Sequence, residues 1–181
     1  MLAPSFAIAV LALVDGGGAG RLQNHDLKPV DALKAVGFLV GDWTGKQDFN
    51  TGGPLMALNA KDKITSSIGG RYIEETLSTT RPDGTQSDTR HLLTYIPKTE
   101  KFHAWWFNDT SVGAMEMEGG MEHGKLVMMT VPSQVDPTPT SIFRVTYEKT
   151  DADGVAWTLE LKAGDTWRKL FRSSYTKTVA G

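Results

Sequence analysis

The sequence predicts an all-β protein: about ten antiparallel strands, joined in order by hairpins and curled into a closed up-and-down β-barrel, with a short N-terminal helix closing one end. Three observations carry this expectation. Strand-like runs alternate with turn signals at intervals of roughly ten residues. The clearest runs are apolar at every second position. Nineteen glycines are spread through the 181 residues, several of them at the joints between runs. Strands with a single apolar face need a shared interior, and a closed barrel supplies one. A two-sheet sandwich is the alternative, but a lone long link offers little from which to build a Greek key.

In chain order, residues 1–28 read as a leader-like or flexible segment and 29–181 as a single barrel domain. Phe6 to Val14 is an unbroken apolar run, too short for a bilayer span of about 20 residues. Its length is that of a signal-peptide core, and small residues Gly16 to Gly20 follow it. No Lys or Arg precedes Arg21, so a helix packed on the domain is the competing reading. Export is preferred, which makes a periplasmic or secreted location the expectation over a cytoplasmic one. Pro29 to Val40 reads as a helix, with Pro29 pre-setting the first turn and Val30, Leu33, Val36 and Phe38 forming an apolar side. Gly41 ends it.

Strands are expected near 42–49, 56–66, 71–79, 86–95, 101–108, 112–119, 125–131, 141–149, 155–162 and 166–176. Gly69-Gly70, Pro82-Asp83-Gly84, Pro97-Lys98, Asn108-Asp109, His123-Gly124, Asp153-Gly154 and Gly164-Asp165 supply the turn chemistry between them. The longest link, Pro132 to Thr140, holds three prolines and is expected to be an extended loop at one barrel end. Period-2 patterning puts Phe143, Val145 and Tyr147 on one face, and likewise Val155, Trp157, Leu159 and Leu161. Met115 and Met117 alternate with Glu116 and Glu118 in the same way. These apolar faces are expected to point inward, together with Val127, Met129 and Trp167. Phe102, Ala104 and Trp106 share a face opposite Lys101, His103 and Trp105.

Composition excludes several function classes. With 19 basic against 21 acidic residues there is no basic surplus for nucleic acid. The absence of cysteine removes disulfides, thiol nucleophiles, cysteine–zinc sites and a lipid anchor on cysteine. Five Trp, seven Phe and four Tyr give too much burial for a disordered chain. No nucleophile elbow or phosphate-binding loop is present.

The string Leu39-Val40-Gly41-Asp42-Trp43-Thr44-Gly45, directly after the helix, resembles the Gly-x-Trp start of lipocalins and related calycin barrels. Adding Gly69-Gly70-Arg71-Tyr72, and Tyr95 ahead of Lys101-Phe102-His103-Ala104-Trp105-Trp106, the chain is similar to a bacterial lipocalin-like family known as domain of unknown function 1579. The resemblance runs from about residue 30 to the end. One departure is Asn108, which stands where that family is expected to place an acidic residue, with Asp109 alongside. The resemblance implies a barrel with an internal cavity, Trp43 packed across the helix-closed end, and Trp106 inside. Calycin barrels more often bind small apolar molecules than transform them, though fold alone does not choose.

The candidate ligand-binding residues are Arg71, Trp106, Met115, Met117, Met129, Phe143, Tyr147 and Trp157. For each apolar one the plainer reading is core packing. Arg71 has two readings: a clamp on a ligand carboxylate, or a rim residue paired with Glu74, Glu75 or Asp88. Acid–base groups available to a barrel interior are Glu74, Glu75, His91, Tyr72 and Tyr95, and only one of the consecutive glutamates can face inward. His25, His91, His103 and His123 form no metal-binding pair. No cofactor is expected; haem would have His91 as its one candidate ligand and is not favoured. The expected function is binding of a small hydrophobic or amphipathic ligand, with no catalytic residue assigned. A cyclase- or isomerase-type enzyme and a protein-interaction module are the alternatives. No nucleic-acid partner and no transmembrane span are expected. The oligomeric state is open, a homodimer included.

Overall fold

The computed structural model describes residues 28–178, except 51, 54, 110, 111, 134, 135 and 152. The leader-like run and the question of export lie outside the described residues. The strands are β1 Gly41–Phe49, β2 Met56–Ser67, β3 Tyr72–Thr80, β4 Gln86–Ile96, β5 Lys101–Asn108, β6 Met115–Glu122, β7 Lys125–Thr130, β8 Phe143–Lys149, β9 Gly154–Ala163 and β10 Thr166–Lys177. Each pairs antiparallel with its neighbours in sequence, and β1 also pairs with β10, so the ten form one closed barrel. Closure leaves no unpaired strand edge. The seam is tight at Gly45, where a Cβ would lie 2.1 Å from the Ser174 carbonyl oxygen.

The helix differs from expectation. Instead of one helix to Val40, α1 covers Lys28–Lys34 and a 3-10 turn covers Gly37–Leu39. The break falls at Val36, whose φ of −105° and ψ of 11° are not helical, just before Gly37, a poor helix former. The kink turns Leu33, Val36 and Leu39 into the barrel end, where all three are buried. Trp43 is buried above them, and its indole N–H donates to the Leu39 carbonyl at 2.8 Å. Helix closure and Trp43 across the opening therefore both hold.

Strand positions agree closely with the expected runs, with two shifts on the chain around β6. The run expected at 112–119 begins at Met115 and continues to Glu122. Gly113, at φ +87°, turns the chain before it. Gly119 and Gly120 continue the strand because β6 and β7 approach closely: a Cβ on Gly119 would lie 1.9 Å from the Val127 carbonyl oxygen. The β6–β7 connection is the two-residue hairpin His123-Gly124, both at positive φ, which matches the natural twist of the strands.

Alternation sets the interior. Leu58, Ala60, Asp62 and Ile64 of β2 point in, as do Ile73, Glu75 and Leu77 of β3 and Phe102, Ala104 and Trp106 of β5. Three inward expectations, on two strands, are corrected. On β7 the buried residues are Leu126 and Met128, while Met129 is 47% exposed on the outer surface. Four consecutive apolar residues carry no period, so the strand's face is fixed by its pairing, which places Met129 opposite Arg144 and Leu126 opposite Tyr147. Val127 shares Met129's side and is only half-buried. Trp167 also lies outside, with the Arg144 guanidinium 4.3 Å from its ring centre. A register shift between Lys169 and Phe171 separates the two ends of β10.

Candidate functional site

The half of the barrel nearest α1 is filled by side chains apart from a void of about 20 Å³ beside Leu39, Glu75 and Tyr147, and the other half is not. A cavity of about 590 Å³ occupies it, within the range of small-molecule sites. Leu58, Leu77, Trp106, Met115, Phe143, Trp157, Leu159 and Phe171 form its apolar wall. Arg81, Ser87, Asn108, Ser133, Asp136 and Pro139 to Ser141 border its mouth, at the end away from α1. The proline-containing link between β7 and β8 therefore supplies part of the rim, at one barrel end as its sequence suggests. Asn108 faces this mouth, whereas Asp109 is turned to the β4 side, where it accepts hydrogen bonds from Ser87 Oγ at 2.9 Å and the Asp88 amide at 3.2 Å.

A row of rings crosses the inner end of the cavity. His91 stacks on Trp106 with ring centres 3.8 Å apart and planes 12° from parallel. Trp106 meets Trp157 edge-on at 6.1 Å, and Trp157 faces Phe171 at 6.2 Å. Phe171 in turn stacks on Phe49 at 4.5 Å. The Trp157 indole N–H donates to the Tyr175 hydroxyl at 3.3 Å, so its polar edge is satisfied on the packed side and its face is left to the cavity.

Beneath this row sits a buried polar cluster from four strands. His91 Nδ1 is 2.8 Å from Glu75 Oε2, and the Tyr147 hydroxyl donates to the same oxygen at 3.1 Å. Glu75 pairs across from His91 on β3 and β4, which aligns the two side chains inward. Asp62 shares the face one step along β2. Burial by itself would push the Glu75 carboxyl up, but attraction from His91 and hydrogen bonds from His91, Tyr147 and Asp62 hold it below the usual carboxylate range. Burial, reinforced by the Glu75 charge, pushes the Asp62 carboxyl up to about 10. Asp62 is thus a neutral acid beside an ionised one. Among the described residues, neither Asp62 oxygen nor Glu75 Oε1 receives a hydrogen bond from any other group, so the proton kept by Asp62 is the donor this pair requires. Burial, then the Glu75 charge, raises the Tyr147 phenol and keeps it protonated.

An ionised Glu75 only accepts, so the proton between it and His91 is on Nδ1. Among the described residues, the opposite ring nitrogen, Nε2, is buried without a partner, and so is Gln47 Oε1. Both residues border the cavity. The site can therefore hold an apolar body against the rings, with two residues on its border that carry unpartnered polar atoms.

Of the residues singled out in the sequence, Trp106, Met115, Phe143 and Trp157 come together on the cavity wall. Met117 and Tyr147 lie deeper, in the packed half; Tyr147 takes part through its hydroxyl. Met129 is outside the barrel. Arg71 is exposed at the start of β3, at the helix-closed end, with its carbonyl accepting from Thr94 Oγ1 at 2.8 Å. It stands at the opposite end from the mouth, so the reading of Arg71 as a clamp inside the cavity is corrected. Glu75 is the inward glutamate and Glu74 the exposed one. His103 is directed outward, between Glu116 at 3.1 Å and Glu118 at 3.4 Å. Asp62 and Gln47 were missed. Their signal was parity: Asp62 alternates with Leu58, Ala60 and Ile64, and Gln47 with Trp43 and Gly45.

Residues 29–177 match the family described as Protein of unknown function (DUF1579). The chain belongs to the DUF1579 family. That match takes in nearly all of α1 and all ten strands, so the DUF1579 region is the barrel itself. No curated protein matches the chain. Among solved structures, Rv2717c from M. tuberculosis is similar over 82% of this chain and 98% of its own, at 13% identity and a TM-score of 0.61. The S-type phycobiliprotein lyase CPES from Guillardia theta is similar over 88% of this chain and 99% of its own, at 11% identity and a TM-score of 0.57. These likenesses are of fold alone.

Proposed function

We propose that this DUF1579 barrel binds a small hydrophobic or amphipathic molecule in its interior. The observation that carries the reading is the cavity of about 590 Å³, open at one end and walled mainly by aliphatic and aromatic side chains. A structural barrel of this size would fill that volume with its own side chains, since empty apolar space forfeits packing. Met115 suits a wall that adapts to ligand shape. The lipocalin-like neighbours support the reading at the level of fold. A protein-interaction module needs little interior space, and the cavity speaks against it. Native mass spectrometry of protein purified from its own host tests the proposal. A retained equimolar species of a few hundred daltons, lost on denaturation, is expected. Protein that carries nothing and also fails to take up the neutral probe N-phenylnaphthylamine contradicts it.

A second reading, a cyclase- or isomerase-type enzyme acting on an apolar substrate, has one specific observation in its favour. Glu75 holds His91 by Nδ1, and this ring, which borders the cavity, keeps Nε2 without a partner among the described residues, the arrangement of an oriented general base. Such a base would take a proton from one carbon of the substrate and return it to another, with no net oxidation. If so, His91→Gln protein retains a different bound species from the wild type. The same species in both favours binding alone.

A further inference from the structure

We infer that the cavity selects a neutral, hydroxyl-bearing apolar molecule and takes it head first, with the hydroxyl at His91 Nε2 and the hydrocarbon body along the Trp106 and Trp157 rings. This rests on the binding reading above and adds to it the head group and the direction of entry.

Three observations lead there. First, two residues that border the cavity each hold a buried polar atom with nothing to bond among the described residues: Nε2 of His91, a residue 5% exposed, and Oε1 of Gln47, 3% exposed. A buried polar atom without a partner is unfavourable, so a ligand that supplies one gains affinity at that point. Second, the chemistry of the vacancy is defined. Nδ1 keeps its proton because it faces an acceptor-only carboxylate at 2.8 Å. Nε2 is then an acceptor in neutral imidazole and a donor in imidazolium. A hydroxyl answers both states; a carbonyl answers only the second and an ammonium only the first. Gln47 Oε1 accepts, and an O–H suits it too. Third, the charge at the inner end opposes an anion. Glu75 is ionised directly behind His91, and the one Lys or Arg bordering the cavity among the described residues is Arg81, at the mouth. A carboxylate carried to the inner end would meet a like charge in a poorly screened interior. Its favourable orientation is the reverse, with the head beside Arg81.

Decanol and decanoate have the same chain and differ in the head, so calorimetric titration of the full-length protein with each, near neutral pH, tests the inference. Decanol is expected to bind at least about tenfold more tightly than decanoate. In heteronuclear NMR of protein labelled at histidine, the His91 Nε2 resonance shifts on adding decanol and stays in place with decanoate. Gln47→Leu, which leaves the Glu75–His91 pair intact, weakens decanol several-fold and does not weaken decanoate, whose alkyl end would meet that position in the reversed orientation. Equal affinities for the two, or a His91 resonance that ignores decanol, overturn the inference. If N-phenylnaphthylamine enters the cavity while decanol does not, the head-group assignment falls and the binding reading stands. If none of the three binds, the binding reading falls as well.

Discussion

Asp62 and Glu75 are neighbouring carboxyls in opposite protonation states, and their difference has a measurable consequence. Asp62, pushed up to about 10, keeps its proton in the fold across a range where the unfolded chain, with an ordinary value near 4, has lost it. The folded state then binds the extra proton, so this residue makes stability fall as pH rises from about 4 toward 10. The slope reaches at most about 1.4 kcal/mol per pH unit, roughly 3–5 °C in melting temperature for a chain of this size. Asp62→Asn keeps the shape, donates an amide N–H to Glu75 and removes the titration. Its melting temperature is expected to be flatter between neutral and alkaline pH and to exceed the wild type's there; parallel profiles contradict this. Glu75 acts with the opposite sign. Its lowered value means its contribution is full above the ordinary carboxylate range and is lost as pH falls through the lower folded value. Glu75→Ala leaves His91 and Asp62 without their central partner. Urea denaturation should show a loss of about 3–5 kcal/mol.

At the scale of elements, most strands were legible because their patterns were redundant. β8 and β9 alternate cleanly and each occupies the predicted face. β7 was not legible, since Leu126-Val127-Met128-Met129 is apolar on both sides and only pairing to β8 decides which side is in. Trp167 failed for a related reason: the register shift after Lys169 breaks the period that its neighbours would otherwise have continued. The helix was found but not its kink, because Val36 and Gly37 break it to bring Leu39 under Trp43, a demand made by the barrel end and not by the local sequence. Two substitutions test how these elements are joined. Trp43→Phe removes the hydrogen bond to Leu39 and is expected to lower stability by about 1–2 kcal/mol in urea denaturation. Gly45→Ala forces β1 away from the Ser174 carbonyl at the seam and is expected to cost about 1–3 kcal/mol. An unchanged midpoint for Gly45→Ala means that the seam is looser than the structure shows.

The whole molecule divides into a packed half that makes the barrel stable and an open half that makes it a container. Strand count hinted at that space, since ten strands enclose more than about eight can fill. Its position at the end away from α1 was not legible, because it depends on which inward residues are large in three dimensions. Nor did the sequence alone bring together Asp62, Glu75, His91 and Tyr147, which come from four strands and meet only after closure. The most direct test of the container is uptake of N-phenylnaphthylamine, followed by its emission on excitation of the tryptophans, in the wild type and in the doubly narrowed variant Met115→Trp/Leu159→Trp. A saturable, blue-shifted signal sensitised by Trp106 and Trp157 is expected for the wild type, at least about tenfold weaker in the variant, with the fold of both intact. No uptake by the wild type, or equal uptake by both, would contradict ligand binding inside the barrel.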